Sequence, residues 1–283
     1  MIRDILLTYS SVLLGSITLW SNIKLFRKIP IWLFFTGLAL IFAIIFERAS
    51  IVSLVYAITY GVITYHYWNT KHIFYFLLII GLSLPLFSHL PILGFNNFQY
   101  LDHVLVSENG IPYSLYFNLD KTLIGIFLIG FSTQSTKLNW LPLLKKVFIL
   151  LFFMSLIFSF LGITLEYIKF APKLPYFTPI WILKNLFFTC LAEEAFFRKF
   201  LQEKIHDSLN SKLNPTISIL IAAIIFGIFH FKGGAIYVIL ATIAGLFYGY
   251  IFHKTKRVES SILLHFSFNL VHFIFFTYPA LKV

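Results

Sequence analysis

A chain of 283 residues that is 59% hydrophobic and only 12% charged lies far from a soluble domain, in which about a quarter of residues are charged. Its mean hydropathy of +0.87, with 35 Phe and 15 Tyr, suits lipid-facing surfaces and interfacial belts. The net charge of +11 implies no nucleic-acid partner, because no basic stripe or recognition module is present, and the single Cys190 excludes an intramolecular disulfide.

A hydrocarbon core of about 30 Å needs roughly 20 apolar helical residues. Taken in chain order, apolar runs predict helical spans near 5–20, 31–46, 50–68, 72–88 and 121–132, then 145–165, 178–204, 214–231, 235–253 and 259–279. The first could pass for a signal-peptide core, but no small-residue cleavage site follows and it is expected to stay as a span. The fifth is short enough to be re-entrant or interfacial, so eight to ten spans are expected. Absence of strand-like alternation favours helices over a barrel, and the expected fold class is an all-α polytopic transmembrane bundle. Residues 1–140 form a transmembrane region of unassigned role and 141–283 a separate core.

Charges in the gaps give an orientation. One set of loops carries Lys24, Arg27, Lys28, Lys71, Lys137, Lys145, Lys146, Lys199, Lys204, Lys212, Lys254, Lys256 and Arg257. The opposite set carries Arg3, Arg48, Lys121, Lys169, Lys173, Lys232 and Lys282. The positive-inside tendency puts the first set in the cytoplasm, an assignment that depends on counting the short fifth span. The polar excursion from 89 to 120 ends in "NLDKTLIG" (118–125), where Asp120 and Lys121 read as interfacial charges at a helix start.

Three polar constellations fall in the last hundred residues. In "CLAEEAFFRKF", Glu194 and Arg198 are four apart and share a helix face, so they can pair. Glu193 points about 100° away, with Thr189 and Asn185. One carboxylate is thereby committed to a cation and the other is left to face a cavity. "FGIFHF" sets Phe226 four before His230, and "HFSFNL" sets His265 four before Asn269. Each group alone could simply glue helices together, although ionisable groups inside spans are expensive enough to suggest a site. Together they supply what water-activated peptide hydrolysis requires. Glu193 would act as base with His230 helping to hold the water, and His265 and Asn269 would donate to the oxyanion.

These motifs resemble the CPBP family (CAAX proteases and bacteriocin-processing enzymes, or Abi), whose pattern is E-E-x-x-x-R, F-x-x-x-H, H-x-x-x-N. Here it reads Glu193-Glu194…Arg198, Phe226…His230 and His265…Asn269. Ala241, Gly245 and Gly249, small at every fourth position, resemble the tightly packed helix between the second and third motifs. "NLDKTLIG" is similar to a segment upstream of the domain in some bacterial members. The resemblance covers about 178–275. It implies a glutamate-dependent intramembrane endopeptidase with Glu193, His230, His265 and Asn269 catalytic, Glu194 and Arg198 supporting, and no metal or other cofactor. The partners implied are a membrane-associated protein or peptide substrate and the lipid bilayer, with the bacterial plasma membrane as location.

Two other readings use the same residues. Glu193, His230 and His265 could ligate zinc with an open position for water, although no H-E-x-x-H occurs. A non-catalytic scaffold, or a transport-like or immunity protein, could keep the buried polar groups for packing or a solute. His66, His72, His89, His103, His206 and His253 have no partner at a telling spacing and read as interfacial. His272, three after Asn269, reads as a residue behind the site, and Cys190 as packing. One tension remains. Uniform spans put Glu193 mid-membrane, His230 near the outer end of its helix and His265 near the inner end of its own, so a common site demands bent or displaced helices.

Overall fold

The computed structural model describes residues 2–132, 139–208 and 215–282. Lys137 and Lys212 lie outside them, as does the side chain of Arg3. The described chain is helical throughout apart from short strands, and it divides into two compact units.

The first unit comprises residues 1–100, 116–138 and 187–192. It contains helices α1 (Ile2–Ile17), α2 (Ile31–Ile45), α3 (Ile51–Thr70), α4 (Ile73–Phe87) and α5 (Leu119–Gly130). Strands β1 (Lys24–Leu25) and β2 (Ile29–Pro30) pair antiparallel in the turn between α1 and α2. Ser50 starts α3 through a capping box with Ser53, which satisfies two otherwise orphaned N–H groups. Gly94, at φ 72°, is pressed so tightly on that cap that a Cβ would overlap Ser50 Oγ. The short fifth run forms helix α5. Ten of the 12 residues of α5 are buried, Asp120 among them, as expected of a helix apolar on every side. Nor is His89 without a partner, because its Nδ1 lies 2.9 Å from Asp120 Oδ2. The separation of 31 residues hides that pair from any spacing argument.

The second unit comprises residues 101–115, 139–186 and 193–283. Its helices are α6 (Trp140–Thr164), most of a composite α7 (Thr178–Ser208), α8 (Thr216–Ile228), α9 (Gly234–Thr255) and α10 (Val258–Phe275). Helix α7 is not uniform: Asn185–Cys190 and Ala195–Gln202 are π-helical, flanking one α-turn at Leu191–Glu194. Such bulges rotate side chains off the regular faces and concentrate at functional sites. Strands β3 (Phe98–Val104) and β4 (Tyr113–Phe117) pair in the excursion before α5.

Helices α8 and α9 lie very close. A Cβ on Gly245 would meet Ala223 Cα at 3.0 Å, and one on Gly227 would meet Val238 O at 2.8 Å, so the small-residue stripe serves backbone approach. The chain after α10 is held by backbone pairing with the loop after α6: Thr277 N donates to Lys169 O, and Leu281 N to Tyr167 O. This pairing, with Pro279 close behind, ends α10 at Phe275 rather than near 279. Trp181, fully buried, stacks on Phe273 at 4.2 Å and donates from Nε1 to Tyr278 Oη.

Among the described residues three helices are long and apolar enough to cross a membrane: Trp140–Thr164, Phe231–Thr255 and Val258–Phe275. Ile5–Trp20, Ile31–Ile45, Ile73–Phe87 and Thr216–Ile228 are shorter apolar helices. The protein is an integral membrane protein. The 13 residues of α8 rise only about 20 Å, which falls short of a hydrocarbon core. Its C-terminal end delivers His230, and the long apolar helix Phe231–Thr255 begins directly after it. His265 sits in the interior of α10, where its ring meets Phe226 edge-on at 5.8 Å and Tyr248 face-on at 4.4 Å.

Candidate active site

Residues 191–198 are buried without interruption. Within them Glu194 is held at both oxygens. Oε2 accepts from Arg198 Nε at 3.0 Å, and Oε1 accepts from Nδ1 of His265 at 2.9 Å. Arg198 and Glu194 are both 0% exposed. Two charges so deep are tolerable only with close pairing. The rest of the guanidinium lies over aromatic faces, 5.2 Å from the Phe226 ring centre and 6.0 Å from that of Tyr248. Its two terminal nitrogens have no hydrogen-bond partner.

His265 is fixed on three sides. Tyr248 stacks on it at 4.4 Å and 16°, Phe226 meets it edge-on at 5.8 Å, and Glu194 holds Nδ1. The other ring nitrogen, Nε2, stands 3.9 Å from Glu193 Oε2, beyond a direct hydrogen bond but within the span of one bridging water. Because the Glu194 carboxylate can only accept, Nδ1 of His265 carries a hydrogen.

His230 follows the last turn of α8. Its Nδ1 lies 2.7 Å from the carbonyl oxygen of Phe226, an acceptor only, so Nδ1 carries a hydrogen. The ring rests on Phe226 at 4.6 Å and against the edge of Tyr237 at 5.2 Å. Asn269, one turn beyond His265, donates from Nδ2 to Asn185 Oδ1 at 3.3 Å.

A cavity of about 100 Å³ is lined by His230, Tyr237, Tyr248, His265, Asn269 and His272, with Phe158, Leu240, Ala244 and Phe268 among its apolar walls. Three of the four residues expected to be catalytic line it, and Glu193 approaches it through His265. Spacing did not reveal Tyr248, Tyr237 or Asn185 as neighbours of the site. Asn185 alone carried a signal, being placed with Glu193 by periodicity. Tyr237 is close enough to Glu193 to feel its charge. His272, expected behind the site, lines the cavity itself, with Nε2 3.1 Å from Thr277 O, and Cys190 is buried.

At the outer rim, Tyr167 stacks on Tyr237 at 6.1 Å, and burial pushes its phenol above the usual range. Lys173 Nζ donates to the carbonyls of Phe276 and Ala171, and burial pushes its ammonium down to about 8. Among the described residues, no group of three His, Cys, Asp or Glu side chains is arranged to hold a metal ion.

Residues 175–271 match the family model described as type II CAAX prenyl endopeptidase Rce1-like. That stretch is similar to the CPBP/CAAX protease family. It contains all three motifs, and it makes this chain similar to peptidases that act on proteins or peptides in a membrane setting. No curated protein and no solved structure matches the chain. The matched stretch begins in the loop before α7 and runs into α10, while Phe158, Tyr167 and His272 line the cavity from outside it.

Proposed function

We propose that the protein is a glutamate-dependent intramembrane endopeptidase that hydrolyses a peptide bond of a membrane-associated protein or peptide. The supporting observation is the pair of carboxylates on one imidazole, with Glu194 on Nδ1 at 2.9 Å and Glu193 at 3.9 Å from Nε2. Glu194 is occupied by Arg198, which leaves Glu193 as the base.

In the first step a water beside Glu193 gives one proton to that carboxylate, while the lone pair of His230 Nε2 accepts a hydrogen bond from the other. The resulting hydroxide attacks the scissile carbonyl carbon, and the carbonyl oxygen becomes an oxyanion. Asn269 Nδ2 donates to it, as does His265 Nε2 when the ring carries both protons. The Glu194 carboxylate beside Nδ1 stabilises that charged ring. In the second step the carbon–nitrogen bond breaks, and the proton held by Glu193 passes to the departing amine. Water is added across one amide bond, leaving a carboxylate and an amine. Low dielectric around these groups strengthens each electrostatic contact.

Lipidated proteins, leader peptides and C-terminal anchors all present a peptide bond near the bilayer and make up the proposed substrate class, and the bacterial plasma membrane is the proposed location. Comparative membrane proteomics of wild type and Glu193→Ala tests the activity. One precursor that persists uncleaved only in the variant is expected. Identical termini in the two strains would overturn the reading.

A further inference from the structure

A water molecule donates two hydrogen bonds and accepts up to two. In the hydrolysis proposed above, one hydrogen of the attacking water goes to Glu193 and the other to His230 Nε2. One lone pair points at the scissile carbonyl carbon. The second lone pair is left without a donor, because Glu193 and His230 face the water as acceptors while His265 and Asn269 serve the oxyanion. An oxygen that becomes hydroxide in a low dielectric gains most from a donor fixed in that fourth direction.

Tyr237 brings a hydroxyl to this side of the cavity. It lines the same cavity as His230, and its ring meets the His230 ring edge-on at 5.2 Å and stacks on Tyr167 at 6.1 Å. The phenol end of the side chain is within electrostatic range of Glu193. Its hydroxyl makes no hydrogen bond to any described residue, so its hydrogen is not committed elsewhere. The turn before α9 makes room for this ring. Gly233 lies one helical turn before Tyr237, and a Cβ there would overlap Tyr237 Cδ1 and stand 2.8 Å from Cγ. The backbone of Gly233, at φ −86° and ψ 4°, is open to other residues. Glycine at 233 is therefore explained by the ring and not by the backbone.

We propose that Tyr237 is a further catalytic residue, a role that rests on the hydrolytic reading of the site, with its hydroxyl donating a hydrogen bond to the oxygen of the attacking water and to the hydroxide formed from it. The phenol keeps its own proton throughout. The water's proton passes to Glu193 and then to the departing amine, so the balance of the reaction is unchanged. Tyr237 stabilises the hydroxide and, with Glu193 and His230, aims the remaining lone pair at the carbonyl carbon.

Tyr237→Phe removes the hydroxyl alone. The full chain is reconstituted in bilayers, and cleavage is measured on the precursor that accumulates in the Glu193→Ala strain. Tyr237→Phe should lower kcat by about 10- to 100-fold, the worth of one hydrogen bond to a charged group, with KM and the unfolding midpoint close to those of wild type. Gly233→Ala, which pushes the ring aside, should cause a similar loss on its own and no further loss on top of Tyr237→Phe, since both remove one contact. An unaltered kcat in Tyr237→Phe beside an inactive Glu193→Ala would overturn the role of Tyr237 alone. So would a raised KM at unchanged kcat, or fully additive losses in the double variant. If Glu193→Ala still cleaves, or no precursor accumulates, the hydrolytic reading falls and this role falls with it.

Discussion

Glu194 and His265, 71 residues apart in the chain, share a 2.9 Å hydrogen bond that ties the first sequence motif to the third. The same ring faces Glu193 with its other nitrogen at 3.9 Å. Of the adjacent carboxylates, one holds Arg198 and orients an imidazole, and in the proposed mechanism the other takes the proton.

This division predicts different losses for two isosteric substitutions. Glu193→Gln should lower turnover by about 10²–10⁴, the worth of a positioned general base, with little change in thermal unfolding. Glu194→Gln should lower both, since an unpaired buried charge such as Arg198 costs about 3–5 kcal/mol. Unfolding midpoints and cleavage rates measured on both purified variants decide it. Equal loss of stability in the two would refute the assignment of roles.

The buried pair itself can be tested by a double-mutant cycle. Arg198→Met and Glu194→Gln should each destabilise strongly, while the double variant should recover part of the loss, with a coupling of about 1–3 kcal/mol. Met keeps volume over Phe226 and Tyr248 without a charge. Additive losses would mean that the pair is held by packing alone.

Much of this site is legible in sequence wherever one helical turn sets the distance. Glu194 with Arg198, Phe226 with His230, and His265 with Asn269 all follow from a period of 3.6. What the period cannot show is depth. Uniform spans put His230 and His265 at opposite ends of their helices, yet both rings meet Phe226, at 4.6 and 5.8 Å. Nor can spacing show that Tyr248 stacks on His265 or that Asn185 meets Asn269, because those contacts depend on which helices are neighbours. The π segments of α7 are equally hidden, since nothing in "NLFFTC" or "AFFRKFLQ" departs from ordinary helical composition. His89 with Asp120 is hidden for the same reason as Tyr248.

Asn269 and Asn185 should differ in kind. Removing an oxyanion donor with Asn269→Ala should cost about 10²–10³ in kcat. Asn185→Ala, which only orients the Asn269 amide, should cost less, and Asn185→Asp should restore part of it by accepting the same hydrogen. Steady-state rates on a cleaved peptide check both. If Asn185→Asp were as slow as Asn185→Ala, the 3.3 Å contact would not be orienting the amide.

Lys173 gives a pH dependence with a definite sign. Its ammonium is lowered from 10.5 to about 8 by burial where it holds the segment after α10. Between those two values the unfolded chain keeps a proton that the folded chain has released, so raising pH favours the folded state across that window. Below about 8 both states are charged and the full penalty of burying the ammonium is present. Lys173→Met should raise the unfolding midpoint at pH 7 relative to wild type, and the two midpoints should converge as pH rises toward 10.5. The carbonyls of Phe276 and Ala171 would lose a donor in the variant, which works against the gain equally at every pH. The diagnostic is therefore the slope of the difference rather than its size, read from tryptophan fluorescence melts at several pH values. A difference independent of pH over that range would show that Lys173 stays charged in the folded protein.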